Sequence, residues 1–458
     1  MDLLIKNGTV VTAEASWLGD IRCRDGCIVE LGPDLETGSG FELVDASGQY
    51  VFPGGVDPHV HMELPVAGTV SADDFETGTA AGVAGGTTTI IDFVHPERGE
   101  NFMHALAARR EEAAKSVADY GLHMAVTWWG EETEQWIAQC VQSGVPSFKI
   151  YLAYKASVGL NDQDVVHTMA AVERAGGLVL VHAEHGEAVE HLRDRFAAQG
   201  HSEPRYHALS RPPELEGEAT HRAATLAATT GAELYVVHVT CRDAVASVAA
   251  ARDRGWPVHG ETCPQYLLLD DSVYDSEDFE GAAFVIAPPI RPAGHQDALW
   301  QALEDGVLTT VGSDHCPFTM EQKRLGQNDF RHIPGGAAGI EHRLALLYSY
   351  GVGAGRLSLQ RFVDLVSTRP AKRFGLYPRK GEIAVGSDAD LVLWDPAATT
   401  TISAATHHHR TDRSIYEGLS LTGLPSRVIA NGRVQFGPKG LSVERGAGRF
   451  LERATATS

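Results

Sequence analysis

Residues 51–61 read Val51-Phe52-Pro53-Gly54-Gly55-Val56-Asp57-Pro58-His59-Val60-His61, an apolar run that is broken by proline and glycine and ends in two histidines. The pattern predicts a β-strand that stops abruptly. Because side chains two residues apart on a strand point the same way, His59 and His61 can reach one metal ion. A single His-x-His pair is weak support for a metal site, so the interpretation depends on the strand ends that follow.

Four later strand-like runs also carry a polar side chain at or near their end. They are Ser147-Phe148-Lys149-Ile150-Tyr151, Leu178-Val179-Leu180-Val181-His182, Leu234-Tyr235-Val236-Val237-His238 and Thr309-Thr310-Val311-Gly312-Ser313-Asp314. Stretches rich in Ala, Leu, Glu and Arg lie between these runs and predict helices, such as residues 111–118 and 218–228. Alternating strands and helices favour an α/β fold with a parallel sheet. Residues 53–377 contain enough such units to close a (β/α)8 barrel of the TIM type.

The strand ends of such a barrel meet at one mouth, where the chemistry of these folds is located. The sequence therefore predicts that six candidate metal ligands converge: His59, His61, Lys149, His182, His238 and Asp314. A catalytic zinc usually takes about three protein ligands plus water. Four imidazoles and a carboxylate therefore suit two metal ions, provided that one group bridges them.

Lys149 is the candidate bridge. A lysine inside an apolar strand is costly as a cation, and burial lowers its pKa. The neutral amine can add carbon dioxide, and the resulting carbamate offers one oxygen to each metal. The alternative is a lysine that reaches out to solvent or forms a buried ion pair.

With these residues, the chain resembles the cyclic amidohydrolases of the amidohydrolase superfamily, in their hydantoinase and dihydropyrimidinase branch. The resemblance covers essentially the full length. The motifs that carry it lie at residues 54–61, 71–79, 85–93, 148–155, 181–184, 237–241, 260–266 and 312–318. The resemblance implies that one metal takes His59, His61, Lys149 and Asp314, and that the other takes Lys149, His182 and His238. Both ions are expected to be zinc, bridged by N6-carboxylated Lys149.

The resemblance also implies how the site acts on its substrate. The metal pair activates a shared water, Asp314 accepts its proton and returns it to the leaving nitrogen, and Tyr154 donates a hydrogen bond to the developing oxyanion. The side chains or main-chain atoms expected to contact the substrate belong to Leu64, Tyr151, Tyr154, Val158, Ala287 and Gly335. The family has serine and asparagine at the positions of Ala287 and Gly335, but main-chain contacts survive both changes. A larger aromatic residue often stands at the position of Val158, so a roomier pocket is expected.

The expected reaction opens a neutral ring, a 5-substituted hydantoin or a dihydropyrimidine, to an N-carbamoyl amino acid. Dihydroorotases carry an arginine soon after the His-x-His pair to hold a substrate carboxylate, whereas this chain has Met62-Glu63-Leu64-Pro65. An allantoinase-type ureide hydrolase is the alternative. The fold also occurs in non-catalytic neuronal scaffold proteins that have lost metal ligands, but here the six ligands and Tyr154 are present.

The remaining parts of the 458 residues predict a second, smaller domain. Short strand and hairpin patterns at residues 3–11, 25–29, 386–394 and 428–434 predict a β-sandwich that is built from both termini, residues 1–52 and 378–458. Relatives of this kind form tetramers, so a homotetramer is expected.

Charge and composition exclude other classes of function. A net charge of −22 does not provide the basic patch of a nucleic-acid-binding protein. No apolar run approaches the roughly 20 residues of a membrane helix, and no basic leader segment opens the chain. Six scattered cysteines without zinc-knuckle spacing favour a reduced, cytoplasmic location. His407-His408-His409 lacks other ligand types and predicts a surface loop. His315, beside Asp314, is expected either to support a metal ligand through its contacts or to serve in packing.

Overall fold

The computed structural model of the chain describes residues 2–38, 40–276 and 278–455. Its strands, in chain order, are β1 (Asp2–Val11), β2 (Ser16–Arg24), β3 (Cys27–Gly32), β4 (Phe41–Asp45), β5 (Tyr50–Pro53), β6 (Gly55–Val60), β7 (Pro65–Val66), β8 (Thr69–Val70), β9 (Thr87–Val94), β10 (Asp119–Ala125), β11 (Ser147–Tyr151), β12 (Leu178–His182), β13 (Glu233–Val236), β14 (Val258–Thr262), β15 (Thr310–Val311), β16 (Leu391–Thr401), β17 (Ser420–Ala430), β18 (Arg433–Gly437) and β19 (Gly440–Leu441).

Helices alternate with the central strands. The α-helices are α1 (Phe75–Ala84), α2 (Phe102–Ala113), α3 (Thr133–Gln142), α4 (Asp162–Arg174), α5 (Gly186–Ala198), α6 (Arg205–Leu209), α7 (Pro213–Thr230), α8 (Arg242–Asp253), α9 (Pro264–Leu268), α10 (His295–Glu304), α11 (Met320–Lys323), α12 (Arg343–Leu347), α13 (Leu359–Val363) and α14 (Arg369–Arg373). Short 3₁₀ segments (Asp271–Tyr274, Phe279–Phe284, Arg324–Gly326, Phe330–His332) and π segments (Tyr348–Val352, Asp364–Thr368) accompany them. Within the described residues, no helix combines the length and the apolar character needed to span a membrane.

Eight parallel strands form the predicted barrel, which the structure confirms. Their order is β6-β9-β10-β11-β12-β13-β14-β15, and a parallel bridge between Val60 and His315 joins the two edges. The four strands from β9 to β12 are buried along their whole length, because helices cover their outer face and packed side chains fill the interior. Strands that are buried on both faces consist of nearly continuous apolar residues, so these strands could be predicted from the sequence.

The second sheet confirms the predicted β domain built from both termini. Its strands follow the order β19-β18-β17-β16-β5-β1-β2-β3, with β4 beside β1. All nine strands share one hydrogen-bonded network, and β5 connects the two ends of the chain because it pairs with β1 on one side and β16 on the other. A common buried core contains Leu3 and Val51 from the N-terminal part and Leu393 and Ile429 from the C-terminal part.

Buried ion pairs fasten the β domain to the barrel. Lys380 Nζ lies 2.7 Å from Asp119 Oδ2, at the start of β10, and 2.7 Å from Asp390 Oδ2, just before β16. The predicted boundaries at residues 52/53 and 377/378 lie at the end of β5 and shortly after α14, and they remain predictions. The ion pairs lie at the start of β10, at the end of the barrel opposite the cavity that is described below.

Candidate active site at the barrel mouth

A cavity of about 490 Å³ opens at the C-terminal ends of the barrel strands. Every residue that the sequence singled out for metal or substrate binding lines it: His59, His61, Leu64, Lys149, Tyr151, Tyr154, Val158, His182, His238, Ala287, Asp314 and Gly335. The prediction that they converge therefore agrees with the geometry, while their individual roles remain predictions.

One half of the candidate metal centre consists of two imidazoles around one carboxylate oxygen. His59 Nε2 and His61 Nε2 each lie 3.3 Å from Asp314 Oδ1. Donor atoms that sit about 2.0–2.1 Å from a tetrahedral ion are separated by about 3.3 Å. Among the described residues, the buried His59 Nε2 has no hydrogen-bond partner, so these donors fit a divalent ion.

The other half is a facing pair of histidines. His182 Nδ1 lies 3.0 Å from His238 Nε2, and burial lowers the pKa of both imidazoles, that of His238 well below its ordinary value. Neutral imidazole is the form that binds a metal. The His59 and His238 rings are 5.4 Å apart between centroids, so the two halves adjoin.

Lys149 lines the same cavity as both halves of the site. It is the third residue of β11, and its side chain is buried. Its Nζ lies 5.3 Å from the ring centroids of Phe93 and Tyr151, and burial lowers the pKa of the amine to about 7. Burial therefore favours the neutral amine, which is the form that reacts with carbon dioxide.

Two buried carboxylates contact the outer nitrogens of two candidate ligand histidines. Glu261 Oε1 lies 2.7 Å from His59 Nδ1, and Glu184 Oε2 lies 2.7 Å from His182 Nε2. Such partners set the ring orientation and the tautomer of a metal ligand. Neither glutamate was predicted from the sequence to have a role. Glu184 could have been suspected because it stands two residues after His182, but Glu261 is 202 residues from its histidine.

We expect Glu261→Gln to weaken metal binding about 10- to 100-fold, because an amide oxygen accepts the hydrogen bond from the imidazole N–H less strongly than a carboxylate does. Competition with a chromophoric chelator measures the affinity. Glu233→Gln is the matched control, because Glu233 pairs with His259 and Arg373 at the opposite end of the barrel. Equal metal affinity in the Glu261→Gln and wild-type proteins would contradict this role.

Three of the candidate site residues adopt a strained backbone. Tyr154 has φ 58°, His238 has φ 39° and Asp314 has φ 52°, all in the left-handed region that non-glycine residues seldom occupy. Each such residue costs about 1–3 kcal/mol and persists only where its surroundings hold it. The strand ends therefore turn sharply, and these side chains face the cavity.

The substrate side of the cavity carries two tyrosines with different surroundings. The Tyr154 ring lies 5.2 Å from the His182 ring, and burial raises the pKa of its phenol to about 12, so the hydroxyl keeps its proton at neutral pH. The Tyr151 hydroxyl lies 2.8 Å from His95 Nε2. His95 also lines the cavity and was not predicted from the sequence. Tyr151, a predicted substrate contact, therefore has a polar partner in the cavity wall.

The prediction of a surface loop at residues 407–409 is wrong for His409, which is buried. Its Nδ1 lies 3.6 Å from Asp73 Oδ2, and His315 Nε2 lies 3.2 Å from the same oxygen. These three side chains could be taken for a second metal site. However, His315 Nδ1 accepts the Gly339 N–H, so its Nε2 carries the proton and donates to Asp73. His315 and Asp73 are therefore hydrogen-bonded to each other beside Asp314. Neither ring nitrogen of the buried His409 has a hydrogen-bond partner among the described residues.

The barrel and its mouth define the class of protein. Residues 50–434 match the amidohydrolase family, and the chain belongs to this family. It is 47% identical to the D-hydantoinase of Geobacillus stearothermophilus, over 99% of this chain and 97% of that protein. It is 41% identical to the dihydropyrimidinase of Rattus norvegicus, over 98% of this chain and 88% of that protein. The crystal structure of dihydropyrimidinase from Brevibacillus agri matches with a TM-score of 0.99 at 45% identity and covers 100% of both chains. These findings confirm the predicted family branch.

Proposed function

We propose that this protein is a metal-dependent cyclic amidohydrolase that opens 5-substituted hydantoins or dihydropyrimidines to N-carbamoyl amino acids. The observation that carries the proposal is the convergence of six ligand-type side chains and Tyr154 on one cavity. The identity to D-hydantoinases and dihydropyrimidinases over nearly the whole chain supports the same reaction.

We propose zinc as the metal, with N6-carboxylated Lys149 as the bridge between two ions. His59, His61 and Asp314 would hold one ion, and His182 and His238 the other. The 3.3 Å donor spacing around Asp314 Oδ1 and the lowered pKa of the Lys149 amine support this division.

When bound, the two ions would lower the pKa of a water molecule and polarise the amide carbonyl. Asp314 would accept the proton of the attacking water and pass it to the ring nitrogen as the C–N bond breaks. The protonated phenol of Tyr154 would donate a hydrogen bond to the oxygen on which negative charge develops. Main-chain groups of Ala287 and Gly335 would hold the ring imide, and Leu64, Tyr151 and Val158 would surround the 5-substituent.

A substrate panel on zinc-loaded protein tests the proposal. We expect hydrolysis of 5-phenylhydantoin, hydantoin and dihydrouracil, with loss of activity on chelation and recovery on zinc addition. Activity on allantoin alone would favour the ureide hydrolase instead. A protein that purifies without stoichiometric metal and hydrolyses none of the four compounds would overturn the proposal in favour of a scaffold role.

Val158 offers a test of substrate choice. It lines the cavity, at a position where a larger aromatic residue often stands in the family. We predict that Val158→Phe shifts the kcat/KM ratio about tenfold or more towards dihydrouracil and away from 5-phenylhydantoin, since such a contact is worth roughly 1–3 kcal/mol. Val385→Phe is the control, because Val385 is exposed, belongs to the C-terminal part of the β domain and does not line the cavity. An unaltered preference in Val158→Phe would show that this residue does not shape the pocket.

We also propose a homotetramer in a reduced, cytoplasmic compartment. All six cysteines are free thiols, which supports the reduced compartment. Light scattering of the purified protein tests the oligomeric state, and a monomer would contradict it.

A further inference from the structure

Lys323, at the end of α11, is a fully buried lysine whose hydrogen bonds go to main-chain carbonyls. Its Nζ lies 2.9 Å from Val285 O, 2.8 Å from Pro334 O and 2.8 Å from Gly336 O. Buried lysines usually have a carboxylate partner, as Lys380 has. Burial without such a partner is unfavourable, and it lowers the pKa of Lys323 to about 7. A side chain kept at this cost has a task that an apolar residue cannot perform.

The three carbonyls belong to the two loops that wall the cavity. Ile286 and Ala287 line it from one loop, and Ile333, Gly335 and Gly336 line it from the other. Lys323 lies behind this wall and does not line the cavity itself. The Gly336 N–H also donates to Val285 O, at 3.0 Å, so the ammonium and this amide converge on one carbonyl and tie the loops together.

These hydrogen bonds set the direction of the main-chain N–H and C=O groups of Gly335. A trans peptide is planar, and its C=O and N–H point in opposite directions. The Pro334 carbonyl faces Lys323, so the Gly335 N–H points away from Lys323. The Gly336 N–H faces Val285, so the Gly335 C=O points away from Val285. Glycine has no side chain to restrain it, and a Cβ at Gly335 would meet open space, so its orientation depends on these neighbours.

We infer that Lys323 is a positioning residue for substrate recognition, which holds the main-chain groups of Gly335 in the direction that the ring imide requires. The inference rests on the proposed function, because it assumes that the imide binds these groups. Contacts made equally in the ground state and the transition state affect KM rather than kcat.

The test is Lys323→Met, which keeps the length of the side chain and removes its donors. We expect KM for dihydrouracil to rise about tenfold or more, with kcat changed less than about threefold and with metal content unchanged. Lys380→Met is the matched control, since it removes another buried lysine remote from the cavity; it should lower Tm and leave KM unchanged. A KM within about twofold of wild type, or a loss of bound metal, would overturn the inference.

Two further measurements test the inference if Lys323→Met does not fold or if no substrate is turned over. If Lys323→Met does not fold, Lys323→Gln retains two of the donors, and its KM should lie between those expected for wild type and Met. Hydrogen exchange of residues 333–337 needs no substrate, and we expect it to be faster in either folded variant than in wild type. Unchanged exchange would refute the positioning role. Failure of wild type on the whole substrate panel would refute the proposed function instead, so the two failures are distinguishable.

Discussion

Lys149→Ala is expected to abolish hydrolysis and to leave the protein with less than its full complement of metal. The proposed carbamate is the group that binds both ions through one side chain, and alanine has neither its reach nor its charge. Metal analysis of the purified variant, together with a rate measurement at saturating substrate, checks both parts. Short carboxylic acids added to the medium should partly restore activity, because a small carboxylate can occupy the place of the bridge.

Lys380→Ala separates this effect from the general cost of removing a buried lysine. Lys380 is buried in an ion cluster with Asp119, Asp388 and Asp390. None of these four residues lines the cavity. Its loss should reduce Tm without changing the number of bound ions. If Lys149→Ala kept its zinc and its rate, the paired-metal interpretation would have to be abandoned.

Tyr154→Phe is expected to lower kcat by about 100- to 1,000-fold with a much smaller change in KM, because a donor aimed at the developing oxyanion acts mainly in the transition state. The raised pKa of this phenol, about 12 through burial, means that the donor is available throughout the neutral range. Steady-state kinetics with one hydantoin and one dihydropyrimidine suffices to measure the effect.

Tyr151→Phe is the informative comparison. It also removes one buried hydroxyl from the cavity wall, but that hydroxyl is hydrogen-bonded to His95. Its loss should change the KM for 5-substituted substrates more than it changes kcat. A raised KM with intact kcat in Tyr154→Phe would instead make Tyr154 a binding or packing residue.

The candidate ligands could be predicted because two simple rules suffice for them. Side-chain alternation shows which residues of a strand face the same way, and the parallel barrel brings all C-terminal strand ends to one mouth. His182 and Asp314 lie at such strand ends, so their convergence follows from topology. The lysine in β11 was equally visible, since a charged residue in an apolar run is conspicuous.

The supporting contacts could not be predicted in this way. Glu261 meets His59 only because β14 and β6 belong to one closed barrel. His409 lies in a polar loop sequence, yet it is buried because the tertiary fold places it beside Asp73. Neither contact can be predicted from the residues that are adjacent in sequence.

Residue patterns along the chain were enough to predict the alternating strands and helices and the six ligand-type side chains. They also showed that no arginine follows the His-x-His pair to hold a substrate carboxylate. The fold was needed to show which carboxylates contact the candidate ligand histidines, which residues adopt the left-handed conformation, and that Lys323 ties two loops together behind the cavity. The physical reason is range. Strand periodicity depends on neighbours a few residues away, whereas a buried hydrogen bond depends on groups that barrel closure brings together across hundreds of residues.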